Sequence, residues 1–413
     1  MYETAAMMKL FITSGFSVTQ VLSEADVVVL NSCTVTENSD RKARSFVRKV
    51  REQLPDAVLL LCGCFSQAFP EKASSLGADI LMGTTDRKDA PSAVLKFLKE
   101  RKALNFVHPF EDAAFESLEA DELVEHTRAF LKIQDGCEKY CSYCAIPKAR
   151  GPVRSMPLTE VRRQAESFVR NGYREIVLCG INLSAYGNDL GCDLGDAVEA
   201  VGSVEGLARV RLSSLECDIL TDGILEKFAR CKTFCPQFHL SLQSGCDRTL
   251  HRMNRHYTSA EYLGICEKIR SLFPDPTFTT DIIVGFPGET EDDFEQSVAF
   301  CKSVGFLRAH VFPYSRRAGT MAAYLPDQVT RAEKEQRSKR MIRELKEVSL
   351  SVMESFVGKN VRILLEQPCD GGYNGYSDRY LPCIVHGQGL CNGQIVEGTV
   401  ERIENGSAII SAI

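Results

Sequence analysis

The first hundred residues alternate between short apolar runs and longer amphipathic stretches. Runs such as Val27-Val-Val-Leu30 are unbroken and brief, which is typical of buried strands, while the stretches between them repeat apolar positions every three to four residues, as helices do. The pattern predicts strands at 27–30, 57–61 and 79–82 and helices at 3–15, 38–54 and 91–101. Strands alternating with helices at this spacing indicate an open parallel α/β domain.

Residues 127–353 repeat the strand–helix alternation six times. The predicted strands are 128–134, 174–179, 209–213, 237–242, 277–284 and 308–312. The predicted helices are 157–171, 194–204, 219–230, 258–272, 290–304 and 330–353. Six such units predict a partial (β/α)6 barrel, whose functional residues lie on the loops at the carboxyl ends of the strands.

The chain changes character from residue 354 onward. Short β-rich runs with interspersed glycines and no helical period occur at 361–366, 375–381, 383–386 and 394–402. They predict a small antiparallel β-barrel, a fold that often binds oligonucleotides. The acidic, aperiodic stretch 108–126 is predicted to be a linker, so the expected α/β protein has domains at 1–107, 127–353 and 354–413.

Composition places the chain among ordinary globular proteins. It has 413 residues, of which 44% are hydrophobic and 25% charged. It contains no run of about eighteen apolar residues, so no membrane span or membrane partner is predicted, and its first residues do not resemble a signal peptide. Seventeen scattered cysteines are typical of a reducing compartment, so we expect a cytoplasmic protein. Most of these cysteines, including Cys231 and Cys235, are expected to be core or surface thiols.

One short stretch, Asp135-Gly-Cys137-Glu-Lys-Tyr-Cys141-Ser-Tyr-Cys144, places three thiols on the loop after the predicted strand 128–134. A C-x2-C pair alone is at least as often a zinc site, a redox site or a chance occurrence. Structural zinc sites and most iron–sulfur clusters take four ligands, however, and the next cysteine is distant in sequence. A cubane held by three thiolates leaves one iron open, which suits catalysis.

The C-x3-C-x2-C spacing resembles the signature of radical S-adenosylmethionine enzymes. The resemblance implies that Cys137, Cys141 and Cys144 hold a catalytic 4Fe-4S cluster. It also implies that S-adenosylmethionine binds the open iron and is cleaved by one electron to a 5′-deoxyadenosyl radical, with the protein supplying position and exclusion of water.

Polar residues and glycines follow several of the predicted strands of the partial barrel. A glycine at such a place most often only makes a turn. Taken together, these residues predict a polar ring at the barrel mouth that binds S-adenosylmethionine. The candidates are Gly180, Asn182, Ser214, Glu216, Gln243 and Asp281.

Further segments resemble the methylthiotransferase branch of the radical S-adenosylmethionine enzymes. They are Asn31-Ser-Cys33-Thr-Val-Thr, Gly63-Cys64-Phe-Ser-Gln, His239-Leu-Ser-Leu-Gln-Ser-Gly and Asp281-Ile-Ile-Val-Gly-Phe-Pro-Gly-Glu-Thr. The residues alone show only that two cysteines at adjacent strand ends could share a metal. The resemblance implies that Cys33 and Cys64 bind an auxiliary 4Fe-4S cluster thought to carry the sulfur, and that the C-terminal barrel is a TRAM domain.

The sequence departs from this family at its beginning. Family members have a Gly-Cys-Lys-Val-Asn-Gln-type segment directly before Tyr-Glu-Thr, whereas here Met1 precedes Tyr2-Glu3-Thr4. The first auxiliary-cluster cysteine and its strand are therefore absent from this sequence, and Cys62 is poorly placed to replace that cysteine. We expect the radical cluster to bind well and the auxiliary cluster poorly. A start codon assigned too far downstream, or a truncated chain, would explain the difference.

Two segments are most similar to the MtaB type of this family, namely Ile146-Pro-Lys-Ala-Arg-Gly151 and His310-Val-Phe-Pro-Tyr-Ser-Arg-Arg-Ala-Gly-Thr320. The resemblance implies methylthiolation of carbon 2 of N6-threonylcarbamoyladenosine at position 37, in the tRNA anticodon loop. One S-adenosylmethionine would supply the radical and another the methyl group, with an electron donor as a further partner and a monomeric enzyme expected. The alternatives are methylthiolation of isopentenyladenosine in tRNA or of a ribosomal-protein aspartate, and a non-catalytic iron–sulfur protein that binds RNA or senses redox state.

The net charge of −6 is not typical of a nucleic-acid-binding protein, but the charge is uneven. The segment 41–51 carries six cations and no acid, and a second basic group lies at 248–256. The alternative for each basic group is a solvent-exposed helix face with no binding role. Arg41, Arg44, Arg252 and Arg255 are the predicted contacts to RNA phosphates.

The C-terminal barrel is not basic. From residue 354 onward it has four Lys or Arg against seven Asp or Glu. RNA binding by this barrel would therefore require tyrosines such as Tyr373, Tyr376 and Tyr380 to stack on bases. Ordinary packing within the barrel is the alternative for each tyrosine.

Overall fold

The computed structural model describes residues 2–34, 36–111, 114–119 and 127–412. These residues form two compact units. The first contains the described residues of Met1–Asp121 with two later segments, Asp135–Met156 and Ser315–Tyr324. The second contains the described residues of Glu122–Gln134, with Pro157–Tyr314 and Leu325–Ile413. No helix within the described ranges is both long enough and apolar enough to cross a membrane.

The first unit is built on a four-stranded parallel sheet with strand order β1-β2-β3-β4. The elements are α1 (Tyr2–Thr13), β1 (Val27–Ser32), α2 (Glu37–Gln53), β2 (Val58–Gly63), α3 (Cys64–Ala68), α4 (Pro70–Ser74), β3 (Ile80–Met82), α5 (Ala90–Glu100) and β4 (Leu104–Phe106). The predicted open parallel α/β arrangement is confirmed. The sequence did not predict β4, α3 or α4.

Helices cover both faces of this sheet. Every residue of β2 is buried, as expected for a central parallel strand. On one face α1 and α5 contribute residues such as Phe11 and Val94 to an apolar cluster with β2 and β3. On the other face Val47 and Val50 of α2 pack against Val28 and its neighbours. The buried residues of α2 repeat every three to four positions, so most of its charged residues lie on the opposite side of the helix.

The predicted linker 108–126 lies partly outside the described residues, which omit 112–113 and 120–126. Its described parts contain no helix or strand. They nevertheless contact the first unit, because Glu116 accepts a hydrogen bond of 2.9 Å from Nε of buried Arg87 and Leu118 is buried. Four short elements follow: β5 (Ala129–Lys132), β6 (Gln134–Asp135), α6 (Ile146–Arg150) and β7 (Arg154–Ser155).

The second unit contains the predicted partial barrel. Its helices are α7 (Leu158–Arg170), α8 (Leu194–Gly202), α9 (Asp222–Arg230), α10 (Asp247–Arg252), α11 (Ser259–Leu272), α12 (Glu291–Val304) and α13 (Arg331–Glu354). Its strands are β8 (Glu175–Cys179), β9 (Arg209–Leu212), β10 (Ser214–Leu215), β11 (Gln237–Leu240), β12 (Thr277–Val284) and β13 (Arg308–Pro313). Strands pair in parallel in the orders β5-β8-β9 and β10-β11-β12-β13, and only Ser213 separates β9 from β10. Six parallel strand positions therefore match the six that were predicted.

The C-terminal residues form a closed barrel in the order β14-β15-β16-β18-β17. Its strands are β14 (Asn360–Cys369), β15 (Gly372–Ser377), β16 (Pro382–His386), β17 (Ile395–Glu404) and β18 (Ser407–Ala412). The barrel was predicted correctly, but the prediction of a wholly antiparallel barrel was wrong because β16 and β18 pair in parallel. The strand β18 was not predicted.

A buried carboxylate lies between the partial barrel and the C-terminal barrel of the second unit. Glu175, at the start of β8, is fully buried and lies 2.9 Å from Nε of Arg211, 3.1 Å from a terminal nitrogen of Arg209 and 3.6 Å from one of Arg128. Burial alone would raise the pKa of Glu175, but the charges of Arg211, Arg128 and Arg209 outweigh it and lower the pKa to about 2. Glu175 is therefore ionised at neutral pH.

The same arginines attach the C-terminal barrel. Arg209 donates to the carbonyl oxygen of Tyr376 (3.2 Å) and Arg211 to that of Ser377 (3.1 Å). The rings of Tyr376 and Tyr380 stack with centroids 4.6 Å apart, and the guanidinium groups of Arg128 and Arg211 lie over them at 4.9–5.6 Å. These two tyrosines thus contact internal cations, which favours the packing alternative over stacking on RNA bases.

Candidate active site

Cys137, Cys141 and Cys144 lie on a loop between β6 and α6, which we call the cysteine loop (137–144). The loop is closed at its base. Gly136 has a φ of 79°, and a Cβ atom there would lie 1.7 Å from the carbonyl oxygen of Pro152, so only glycine fits. The N–H of Cys137 donates to the carbonyl oxygen of Gly151 (3.0 Å). The start of the loop is therefore held against the residues that follow α6.

The three thiols of the cysteine loop are each partly exposed. The N–H of Cys144 donates to the carbonyl oxygen of Cys141 (3.0 Å), and the N–H of Ile146 donates to Sγ of Cys144 (3.4 Å). A backbone N–H directed at sulfur favours the thiolate, the form that binds metal. Three accessible thiols on one short, closed loop fit an iron–sulfur cluster.

No three His, Cys, Asp or Glu side chains among the described residues are arranged to hold a single metal ion. Each thiolate of a cubane bonds a different iron, so the sulfur atoms of a cluster site do not need to converge on one point. The assignment of the radical cluster to the cysteine loop stays a prediction.

The auxiliary candidates Cys33 and Cys64 lie side by side at the carboxyl ends of β1 and β2. Each directly follows one member of the paired residues Ser32 and Gly63. Gly63 has a φ of 96°, and a Cβ atom there would lie 2.5 Å from the carbonyl oxygen of Ser32, so the two strand ends approach closely. Cys33 is exposed and Cys64 is buried. The structure thus places these two cysteines together, as expected from parallel strands.

Cys62 is not available for this site. It is fully buried in the apolar cluster under α1, with Sγ 4.0 Å from Sδ of Met7. Burial raises the pKa of Cys62 to about 12, which opposes formation of the thiolate that a cluster needs. This agrees with the expectation that Cys62 does not replace a third auxiliary cysteine.

Arg150, at the end of α6, connects the two groups of cysteines within the first unit. Its Nε donates to Sγ of Cys64 (3.1 Å), and its terminal nitrogens donate to the carboxylates of Glu3 (2.5 and 3.0 Å) and Asp135 (3.2 Å). Burial raises the pKa of the Cys64 thiol, and the charge and hydrogen bond of Arg150 oppose that increase. Sequence reasoning did not identify Arg150, because no local spacing connects it with a cysteine 86 residues away.

Two of the predicted S-adenosylmethionine contacts meet at Gln134. The side-chain oxygen of Gln134 accepts a hydrogen bond from the N–H of Asn182 (2.8 Å), and a Cβ atom on Gly180 would lie 2.7 Å from that oxygen. Oδ1 of Asn182 is buried and makes no hydrogen bond to the described residues. A buried acceptor without a partner is costly unless a ligand satisfies it. This observation supports a ligand-binding role for Asn182.

The other four candidates lie on the sheet β10–β13 or on the loops that follow its strands. Ser214 is exposed at the start of β10. Gln243 has a φ of 70°, and its N–H donates to the carbonyl oxygen of Asp281 (2.9 Å). Glu216 is half-buried and binds the guanidinium of Arg255. The structure therefore brings Gln243 and Asp281 together, while Glu216 has an internal partner.

Sequence reasoning missed two histidines beside Asp281. Nε2 of His239 lies 3.4 Å from Oδ2 of Asp281, and His310 occupies the paired position on β13. Burial lowers the pKa of His310, so its imidazole is neutral at pH 7. The available signal was that each histidine lies on a strand that flanks β12, the strand that carries Asp281.

The four predicted phosphate contacts have different surroundings. Arg41 is exposed on α2 and bonds Asn38, and Arg44 is half-buried on the same helix. Arg252 is half-buried and donates to the carbonyl oxygen of Pro287 (2.9 Å). The side chain of Arg255 is 3% exposed and binds Glu216, so in this structure it is not accessible to a phosphate. The structure therefore contradicts the predicted phosphate contact of Arg255, because its guanidinium is buried in an ion pair with Glu216.

Comparisons with known proteins agree with this architecture. The family model of the Radical SAM superfamily matches residues 131–301, and that of the uncharacterized protein family UPF0004 matches residues 1–83. In the solved structure of a radical S-adenosylmethionine methyltransferase, TsrM, from Kitasatospora setae, the same fold recurs with a TM-score of 0.59 and 13% identity, covering 78% of this chain and 73% of that one.

Curated relatives align over almost the whole chain. The threonylcarbamoyladenosine tRNA methylthiotransferase MtaB of Bacillus subtilis is 36% identical over 96% of this chain and 90% of its own length. The enzyme of the same name from Thermotoga maritima is 34% identical, over 92% and 87%. A tRNA-2-methylthio-N(6)-dimethylallyladenosine synthase from Caldicellulosiruptor saccharolyticus is 34% identical, over 88% and 78%. With a radical S-adenosylmethionine domain and relatives of this identity along its length, the chain belongs to the radical S-adenosylmethionine tRNA methylthiotransferases.

Proposed function

We propose that this enzyme methylthiolates carbon 2 of N6-threonylcarbamoyladenosine at position 37 of tRNA. The observation that carries the proposal is the 36% identity to the Bacillus subtilis enzyme of that name, which extends over 96% of this chain. Relatives named for dimethylallyladenosine are aligned over a smaller share, 85–88% of the chain. The predicted domains 1–107 and 127–353 contain the two segments that the family models match.

Different residues of the chain are proposed to hold the two clusters and S-adenosylmethionine. Cys137, Cys141 and Cys144 would hold the radical cluster, which with S-adenosylmethionine supplies a carbon radical able to remove hydrogen from carbon 2. Cys33 and Cys64 would hold the auxiliary cluster as far as this sequence provides ligands. Asn182, Gln243 and Asp281 are proposed to bind and orient S-adenosylmethionine, with Gly180 allowing close approach.

The substrate imposes further requirements. A base inside a stacked anticodon loop is not accessible to a buried reagent, so the target nucleoside must leave the stack. Cations such as Arg41 and Arg252 would hold the surrounding phosphates. We propose that the enzyme works as a monomer in the cytoplasm, where tRNA is modified, and receives electrons from a separate reductant.

The test is reaction of the anaerobically reconstituted enzyme with tRNA from a strain that lacks the modification. Nucleosides from digested tRNA are measured by mass spectrometry, and 5′-deoxyadenosine is measured in parallel. We expect the methylthiolated threonylcarbamoyl nucleoside with wild type and no 5′-deoxyadenosine with Cys141→Ala. The control is Cys391→Ala, which removes an exposed thiol of the C-terminal barrel and should behave as wild type.

The outcomes separate the alternatives. Product formed only on dimethylallyladenosine tRNA would reject the proposed nucleoside while retaining the reaction. Absence of 5′-deoxyadenosine from wild type that carries iron and sulfide would reject the radical chemistry.

A further inference from the structure

The first unit contains a cavity of about 390 Å³ beside α2, lined in part by Arg44. Its charged lining consists of Glu37, Asp40, Arg44, Lys72, Arg316 and Arg317, and we call it the basic pocket. Its volume lies within the usual range for small-molecule sites. All of these residues belong to the first unit, although Arg316 and Arg317 come from the late segment Ser315–Tyr324.

The basic pocket has an excess of positive charge after its internal pairs are counted. Arg317 is 4% exposed and lies 2.9 Å from Oδ2 of Asp40, while the hydroxyl of Thr34 donates to Oδ1 of Asp40 (2.7 Å). These contacts neutralise Asp40. The side chain of Arg44 makes no hydrogen bond or ion pair to the described residues. Nε of Arg316 donates to the carbonyl oxygen of Ala323 (2.8 Å), and no acid among the described residues pairs with its charge.

Aromatic rings line the same cavity. The ring of Phe69 has Lys72 and Lys148 at 5.0 Å and Arg317 at 5.8 Å from its centroid. Tyr324 is 75% exposed at the rim. An exposed aromatic ring can stack on a base, because every base has a π face. The cations around the ring can bind charged or polar substituents of that base.

The basic pocket adjoins both groups of cysteines. Arg317 donates to the hydroxyl of Thr34, the residue after Cys33 (2.6 Å). On the other side, the N–H of Ala322 donates to the carbonyl oxygen of Ser142 within the cysteine loop (2.8 Å). A nucleoside undergoing sulfur insertion must lie near both groups, so a ligand of this pocket would be close to the reaction.

We propose that the basic pocket binds the carboxylate of the threonylcarbamoyl group on the substrate adenosine, chiefly through Arg44 and Arg316. The proposal rests on the proposed function and identifies residues that select its nucleoside. The threonylcarbamoyl group carries one carboxylate together with a hydroxyl and N–H donors. Glu37, the second acid of the pocket lining, can accept hydrogen bonds from these donors, which a phosphodiester does not have. A dimethylallyl group offers these residues no charge to bind.

The experiment compares binding of anticodon stem-loop RNAs that have one sequence and differ only at the target adenosine. One carries the threonylcarbamoyl group and the other is unmodified, and dissociation constants are measured by fluorescence anisotropy with the full chain. For Arg44→Gln and Arg316→Gln we expect affinity for the modified RNA to fall about tenfold or more, as for loss of a charged hydrogen bond, and affinity for the unmodified RNA to change less than about twofold. Arg44→Lys should retain part of the affinity.

Two controls accompany these variants. Lys96→Gln removes a positive charge from an exposed position of α5 outside the basic pocket and should leave both affinities unchanged. Free N6-threonylcarbamoyladenosine should compete with the modified RNA, and its methyl ester, which lacks the negative charge, should compete at least about tenfold less well.

Each outcome decides between the two proposals. An equal loss of affinity for both RNAs would show a phosphate contact and overturn the inference, as would unchanged binding by both variants. If the variants discriminate as expected while wild type forms no methylthiolated nucleoside, the basic pocket stands and the proposed reaction fails. If wild type forms the product and both variants bind as wild type does, the reaction stands and the pocket assignment fails.

Discussion

Replacement of Glu175 by glutamine tests whether the buried carboxylate holds the second unit together. Glu175→Gln keeps the shape of the side chain and leaves Arg209, Arg211 and Arg128 without their shared anion. The pKa of Glu175 falls from 4.5 to about 2 on folding, and each pH unit corresponds to about 1.4 kcal/mol, so the ionised carboxylate contributes roughly 3 kcal/mol at pH 7. Repulsion among the remaining arginines adds to that loss.

The pH dependence has a definite sign. Because the folded chain favours the ionised form, this stabilisation is complete above about pH 4.5 and is lost as pH falls towards 2. The difference in unfolding free energy between wild type and Glu175→Gln should therefore be roughly 3 kcal/mol at pH 7 and less than half of that by pH 3. Urea unfolding followed by circular dichroism at several pH values measures it.

A matched surface carboxylate provides the control. Glu397 is 72% exposed and lies 3.6 Å from Arg362 on the C-terminal barrel. Glu397→Gln should change the unfolding free energy by less than about 1 kcal/mol, as for exposed ion pairs in general. The reasoning would be refuted if the two variants lost similar stability, or if the loss in Glu175→Gln were the same at pH 3 and pH 7.

Three further predictions concern the cysteine sites and RNA binding. Arg150→Met should destabilise the first unit by about 3 kcal/mol, since buried Asp135 and partly buried Glu3 each lose one of two cations, while Arg150→Lys should lose less in the same thermal unfolding assay. Arg255→Gln should lower stability but leave the slope of log Kd against log salt for tRNA unchanged, and a smaller slope would contradict its burial. Gly136→Ala should abolish iron binding at the cysteine loop, measured by iron content, because its Cβ would meet Pro152, whereas Gly172→Ala, at a similar φ but with nothing within 4 Å, should retain it.

The elements that could be predicted are those whose burial repeats regularly. The strands β1, β2 and β12 and the helices α2 and α13 each show a run or a period that burial imposes on the sequence. The strand β4 has only three residues, none of them fully buried, so no such pattern exists there. The parallel pairing of β16 with β18 was missed because local periodicity carries no information on strand order.

The candidate site divides in the same way. The cysteine loop is contiguous, so its spacing predicted its chemistry directly. The bond from Arg150 to Cys64 and that from Arg317 to Thr34 join residues 86 and 283 positions apart, and only the folded chain brings them together. Arg255 shows the opposite case. Its basic segment predicts a surface contact, but its side chain lies buried against an acid that is distant in sequence.

The composition of the first unit limits how this protein can be dissected. The first unit includes Asp135–Met156 and Ser315–Tyr324. In sequence, each of these segments is preceded by a segment of the second unit. A fragment ending near residue 107 would lack Arg317, which binds Thr34 and Asp40, and Arg150, which binds Cys64, and would expose groups that are covered in the whole chain. Exchange of sequence blocks between relatives should therefore succeed only when all three stretches come from the same parent.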